Sequence, residues 1–277
     1  MRLKVFTWNM QRGGSIGTPR SATQKERYDA RKKILLALCK WGDVGFITEA
    51  GKDLVAAVTT PNHTSAQLPM GYGWWNCSQK ADGQKGKNDC KNLLFSKRIL
   101  RNKEVNFRSG ADDCYRFPAA GYFDDPGDGA RVLLITLHAT SGGGGGVNSN
   151  ELLDHLDETP RMRHRADVVL VGGDMNCNHR HFAMPTDNTH QSGSKLDGFV
   201  YEVYDDNDAN FVVRIEQPEV ATFAGNARLV ETGDPLGYFL KKGTTWVRVS
   251  DHAPVLAEVE IALSKKRKRV DSDDESD

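Results

Sequence analysis

Two short motifs carry side chains that could do chemistry together. Gly172-Gly173-Asp174-Met175-Asn176 closes one apolar run, and Ser250-Asp251-His252-Ala253-Pro254-Val255 opens another. Further apolar runs end the same way, at Phe6-Thr7-Trp8-Asn9, Phe46-Ile47-Thr48-Glu49 and Ile135-Thr136-Leu137-His138. Strand ends that each deliver Asn, Asp, Glu or His are expected to meet at one rim of a β-core. Cleaving a phosphate ester requires a nucleophilic water, charge stabilisation at phosphorus, and protonation or screening of the leaving oxygen. This set of side chains can supply all of them.

Asn9, Glu49 and Asp251 offer hard oxygen donors, which suit Mg2+, Ca2+ or Mn2+ better than zinc. Glu49 sits at the end of an apolar run, where an ionised carboxylate needs a partner. His138 and His252 titrate near neutrality and can share the acid and base roles. Asp174 and Asn176 stand two apart in an extended turn and so point the same way. That pair can orient water and hold a phosphate oxygen. Arg116 can bind phosphate bidentately and never loses its charge.

Positioning these groups takes a strand-rich core. Strands are expected at Leu3–Trp8, Val44–Thr48, Tyr72–Cys77, Leu93–Ser96, Tyr115–Phe123, Val132–Leu137 and Val168–Val171. Others follow at Phe211–Ile215, Gly237–Leu240, Thr245–Val249 and Val255–Ile261. Ala30, Ile34, Leu35 and Leu38 recur at helical spacing, and Ser21 or Thr23 can cap that helix. Shorter helices are expected at Lys52–Val58, Asn148–Glu158 and Leu196–Val203. Residues 78–91 and the glycines 142–146 read as loops. No linker-like break interrupts this alternation, so residues 1–262 read as one domain of two packed sheets flanked by helices.

The chain has 277 residues, 38% of them hydrophobic, and no stretch approaches a membrane span. Residues 1–7 lack the apolar core of a signal peptide. The five Cys are odd in number and match no zinc spacing, so free thiols in a reducing compartment are expected. A Cys77–Cys90 bridge is the alternative. Net charge is zero, yet residues 80–103 hold eight Lys/Arg against two Asp, and residues 1–33 hold nine against two acidic groups. Such segments can present a basic face to a polyanion such as DNA. Residues 263–277 form a tail that cannot pack a core: Lys265-Lys266-Arg267-Lys268-Arg269 precedes an acidic, Ser-bearing end. The basic block reads as a nuclear-localisation signal that an import receptor would bind.

In order and spacing, these motifs resemble the DNase I-like endonuclease/exonuclease/phosphatase superfamily over nearly the whole body of the chain. The finer resemblance is to the catalytic B subunit of cytolethal distending toxin. It is carried by Thr7-Trp8-Asn9-Met10-Gln11, Thr48-Glu49-Ala50-Gly51, Arg116-Phe117-Pro118-Ala119-Ala120-Gly121, and Leu137-His138-Ala139 with its glycine run. The resemblance implies a four-layer α/β sandwich. It implies that Asn9, Glu49 and Asp251 hold the metal and that Arg116 and Asn176 grip phosphate. Asp174 would position the attacking water, with His138 and His252 as acid and base. It further implies a Mg2+-dependent endonuclease that nicks DNA in a nucleus, with toxin delivery subunits as partners.

The family usually places an Asp between the two motifs to orient one His. Ala221 to Leu240 can be aligned with that stretch, which puts Gly237 where Asp belongs unless Asp234 reaches in. Ser192-Gly193-Ser194-Lys195-Leu196-Asp197-Gly198-Phe199 can be aligned too, and it keeps Asp197. The first alignment is preferred because it leaves Leu196–Val203 as a helix. Two other readings stay open: a phosphoinositide phosphatase of the same chemistry, and a catalytically impaired homologue that only binds DNA or protein.

Overall fold

The computed structural model describes residues 1–13, 22–51, 54–55, 73–78, 90–98, 100–102, 115–127, 129–139, 166–176, 180–190, 192–204, 211–221, 229–230, 239–242 and 245–264. In chain order the first elements are β1 (Arg2–Gly13), α1 (Ala22–Trp41), β2 (Val44–Ala50), β3 (Trp74–Cys77) and β4 (Lys91–Ser96). Next come β5 (Arg101–Asn102), β6 (Tyr115–Asp124), β7 (Arg131–Ala139), β8 (Val168–Asp174) and β9 (Asp197–Val203). The last are β10 (Phe211–Ile215), β11 (Glu219–Val220), β12 (Leu229–Val230), β13 (Phe239–Lys242), β14 (Thr245–Arg248) and β15 (Val255–Leu263).

Two mixed sheets pack face to face. One runs β10-β15-β1-β2-β4-β3, with β11 also on β15; the other runs β5-β6-β7-β8-β9. A small third sheet joins β12, β13 and β14. Each large sheet contains one parallel pair, β1 with β2 and β7 with β8. Parallel neighbours bring their carboxyl ends to the same edge, where ligands of open α/β sheets bind. Asn9, Glu49, His138 and Asp174 all lie toward those ends.

Burial explains the strand patterns. β15 alternates, with Val255, Ala257, Val259 and Ile261 buried against the opposing sheet, as a strand with one core face must. β8 is buried at every position, since Val168 and Leu170 face the inter-sheet core while Val169 and Val171 face outward into a second apolar cluster. The outer face of the first sheet is covered by α1, whose Ala30, Ile34, Leu35 and Leu38 pack on Phe6, Trp8, Ile47 and Phe95. Arg31 Nε adds a 2.6 Å hydrogen bond to the Val249 carbonyl. No helix among the described residues is long and apolar enough to cross a membrane.

Most expected strands are present, several of them longer than the apolar runs that announced them. One assignment is overturned. Residues 197–203 form β9, not a helix, and pair antiparallel with β8 from Val168↔Val203 to Asp174↔Asp197. Phe199 lies in the inter-sheet core while its neighbour Val200 lies in the outer cluster. That alternation fits a strand, and a run rich in Phe, Val and Tyr favours one. Cys39, Cys77 and Cys90 are free, so the Cys77–Cys90 bridge is absent. Of the expected Lys52–Val58 helix only 54–55 are described, and they are helical. The Asn148–Glu158 helix, the loop proper at 79–89, Gly142 to Gly146, Asp234, Gly237 and residues 265–277 lie outside the described residues.

Gly173 shows how tightly β8 meets β7. A Cβ built there would lie 1.8 Å from the Leu137 carbonyl oxygen, and φ is +156°. The obstacle is backbone, which cannot rotate aside. Gly173→Ala is therefore expected to cost about 2 kcal/mol or more. The check is the urea midpoint, expected to fall with its slope unchanged. An unmoved midpoint would show that β8 shifts freely to admit the methyl group.

Candidate active site

Asp174 is the hub. It is 1% exposed, and its Oδ2 accepts a 2.8 Å hydrogen bond from Asn9 Nδ2. Its Oδ1 accepts the Asn176 backbone N–H at 3.0 Å. Two imidazoles face Oδ2, His138 Nε2 at 3.6 Å and His252 Nε2 at 3.7 Å. The network continues from His138 Nε2 to Glu49 Oε1 at 3.9 Å. Asn176 Nδ2 donates to the Ala139 carbonyl at 2.6 Å, tying the turn after β8 to the end of β7.

His252 stands between two carboxylates. Its Nδ1 meets Asp197 Oδ2 at 2.7 Å, while Nε2 looks toward Asp174. Asp174 and Asp197 are paired residues on β8 and β9, so their side chains share a face and the ring lies between them. Burial alone would push this imidazole down; Asp197, through charge and hydrogen bond, together with Asp174 and Asp251, overcomes it and lifts His252 to about 10. Burial and the Asp174 charge push the Asp197 carboxyl up, and His252 pulls it back. The short contact supports an imidazolium held on an ionised Asp197.

The expectation that Gly237 occupies the orienting position is therefore corrected. Asp197 stands against His252 Nδ1, the arrangement that the alignment through Ser192 to Phe199 keeps. The signal was in the sequence, but a short apolar run fits a helix or a strand alike. Thr189 was missed. It is fully buried, its Oγ1 accepts the backbone N–H groups of Leu196 and Asp197, and its carbonyl accepts that of Ala253. It thus locks the Asp197 strand to the His252 turn. His190 was missed as well; it lies across an isolated bridge from His252. Neither position carries a periodic signal.

Local backbone explains how the groups are aimed. Among the described residues, the non-glycine residues with positive φ are Gln11 (47°), Glu49 (53°) and Asn176 (50°). All border the site. The β1–β2 register shifts between Asn9 and Gly13, and the β2–β4 register shifts between Ile47 and Ala50. Bulges of this kind re-aim a side chain at a strand end. Each left-handed residue costs of order 1–3 kcal/mol and persists only where its surroundings impose it. Gln11 N–H donates to Asn9 Oδ1 at 2.8 Å, an Asx turn that holds the Asn9 amide toward Asp174. Ser250 Oγ donates to the Asn9 carbonyl and accepts the His252 N–H, and Trp8 Nε1 donates to the His252 carbonyl.

Of the expected metal ligands, Asn9 and Glu49 join this network directly. Asp251 flanks it with 17% of its side chain exposed. Its Oδ1 is buried without a hydrogen-bond partner, an arrangement that suits an oxygen waiting for a cation. Asp251, His190 and His252 cluster within ligating distance of one another, as do Asp174, Asp197 and His252. Of these groups, the unsatisfied Asp251 oxygen is the feature that fits a divalent cation taking oxygen ligands. Arg116 lies on β6 opposite His138, and its side chain is outside the described residues.

Comparison with known proteins follows the same line. Residues 6–252 match the Endonuclease/Exonuclease/phosphatase family. No curated protein matches the chain. Among solved structures, a mannosyl-6-phosphatase from Bacteroides thetaiotaomicron is similar at 14% identity with a TM-score of 0.57, covering 94% of this chain and 99% of that one. D. rerio TDP2 complexed with single strand DNA product is similar at 10% identity and 0.56, covering 94% and 99%. The human Nocturnin catalytic domain with bound sulfate anion is similar at 14% and 0.55, covering 94% and 95%. At these identities the likeness concerns the fold.

Proposed function

The chain belongs to the endonuclease/exonuclease/phosphatase family, and from that premise we propose that it is a Mg2+-dependent endonuclease that nicks DNA. The observation that carries the reading is the His252 imidazole, held by Asp197 and directed at the Asp174 carboxylate, which Asn9 and Asn176 fix in turn. The fold and family support phosphoester hydrolysis; the basic segments 1–33 and 80–103 support a polyanionic substrate. One structural neighbour carries a single-stranded DNA product, so this fold accommodates nucleic acid, as it accommodates a sugar phosphate in another.

Glu49, Asp251 and the Asn9 amide oxygen would hold the cation. When bound, it supplies positive charge against the phosphate oxygens. Asp174 orients the attacking water and takes its proton, because an ionised carboxylate only accepts and its geometry is fixed by two donors. The His252 imidazolium stabilises negative charge on the phosphate from its buried position. Asn176 spends one amide hydrogen on Ala139 and keeps another for a phosphate oxygen. Arg116 extends the phosphate contacts along β6, and His138, beside Glu49 and Asp174, protonates the leaving oxygen.

The test is supercoiled plasmid with Mg2+, beside His138→Ala and an EDTA control. Nicking that EDTA abolishes and that the variant reduces by about 10²–10⁴-fold is expected. No nicking above the variant would overturn the nuclease reading. A phosphoinositide headgroup is the next substrate to try, a choice favoured by the phosphatase among the similar folds. The impaired-homologue reading loses its main support now that Asp197 fills the orienting position. Nuclear action through an import receptor on Lys265 to Arg269, and delivery by toxin subunits, extend this reading on the strength of the sequence motifs.

A further inference from the structure

We propose that His190 is a positioning residue for the metal end of the site. It holds the Asp251 carboxylate and the His252 ring in the arrangement that takes a divalent cation, without ligating the ion itself. This rests on the reading that the site binds such a cation.

The chemistry of the ring decides between ligand and support. His190 Nδ1 lies 3.1 Å from the Ser192 backbone nitrogen and 2.7 Å from Ser192 Oγ. A backbone N–H can only donate, so Nδ1 accepts, and a neutral ring then carries its proton on Nε2. Nε2 faces Asp251 Oδ2 at 3.8 Å. A nitrogen that carries a proton has no lone pair for a metal. At that separation it is a directed dipole beside the carboxylate and not a formed hydrogen bond. The ring also packs edge-on against His252, with centroids 4.6 Å apart and planes at 60°.

Its backbone is just as fixed. His190 bridges His252, and its neighbour Thr189 accepts the Ala253 N–H at 2.8 Å. The His190 N–H itself donates to the Ser194 carbonyl at 3.0 Å. One loop therefore supports Asp197 through Thr189 and the Asp251–His252 pair through His190. Outer residues of this kind orient the groups that bind the ion.

The experiment titrates Mn2+ into the full chain by calorimetry, for the wild type, His190→Ala and His190→Gln. The Ala variant is expected to bind Mn2+ about 10-fold more weakly or worse. The Gln variant, whose amide N–H reaches the place of Nε2, is expected to stay within about threefold of wild type. Plasmid nicking at saturating Mn2+ is expected to fall in the Ala variant too, since the lost ring packs against His252; Mn2+ affinity is the readout that bears on the proposal. Equal Mn2+ affinity in wild type and the Ala variant would overturn the proposal. So would a Gln variant as weak as Ala, since that would make the imidazole a ligand. If the wild type took no Mn2+, the cation reading of the whole site would fall, a result distinct from both.

Discussion

Asp197→Asn is expected to lower turnover by about 10⁴-fold while leaving the fold intact. The substitution keeps the size of a fully buried side chain and its place on β9. It removes the charge that faces His252 Nδ1 at 2.7 Å. An amide in that position can present its oxygen or its N–H, so the ring loses its orientation and the largest of the influences that raise its pKa. Burial, the largest influence on this imidazole, then acts against the cation with less opposition. The sign follows. Wild-type His252 stays protonated through neutrality and up to about 10, whereas in the variant protonation requires a lower pH. Residual activity of the variant should therefore decline as pH rises through a range where wild-type activity holds. Turnover against pH for both proteins, with circular dichroism to confirm folding, is the measurement. A variant within about tenfold of wild type would show that His252 needs no carboxylate behind it.

Asp174→Asn comes next, with an expected loss of about 10³-fold. Asp174 gathers the Asn9 amide, the Asn176 N–H and two imidazoles on one carboxylate. A neutral amide there cannot accept on both sides at once or draw positive charge toward the water it orients. On the proposed mechanism this residue, unlike Asp197, acts on the reaction directly as well as through His252. The informative comparison is the double variant. Both single changes withdraw charge from the same ring, so their combined loss should be smaller than the product of the separate losses. Strict multiplicativity would mean that the two carboxylates act independently, and that the ring between them is not the shared element.

Much of this site was legible because of where its residues stand in the apolar pattern. Asn9, Glu49, His138 and Asp174 each end a run that became a buried strand, and His252 precedes one. A polar residue at such a boundary is conspicuous, and parallel pairing brings those boundaries to one edge. Asp197 was read less well for a physical reason. Leu196 to Val203 is too short for periodicity to separate helix from strand, and only its pairing with β8 settles the matter. Thr189 and His190 sit in a polar loop, where side-chain type carries no information about direction. The left-handed backbone at Gln11, Glu49 and Asn176 left no trace either, because none is the glycine or aspartate that advertises a turn, and Asn176 alone belongs to a type that tolerates it. The expected second helical layer and the Arg116 side chain lie outside the described residues.

The antiparallel pairing of β1 with β15 has a bearing on how the molecule comes into being. Among the described residues the first strand lies against the last, and the Met1 amino group donates to the Ile261 carbonyl. Ser250 reaches Asn9 across 241 positions, and Trp8 reaches His252 across 244. Contacts of such separation are the slow ones in folding, since a long loop must close before they reward it. On the ribosome, where chains grow at roughly 5–20 residues per second, the second sheet through β9 can emerge while β1, already beside β2, still lacks β15. The catalytic rim is then the final thing to assemble. A polypeptide interrupted before β15 would carry almost every candidate site side chain without the strand that brings them together.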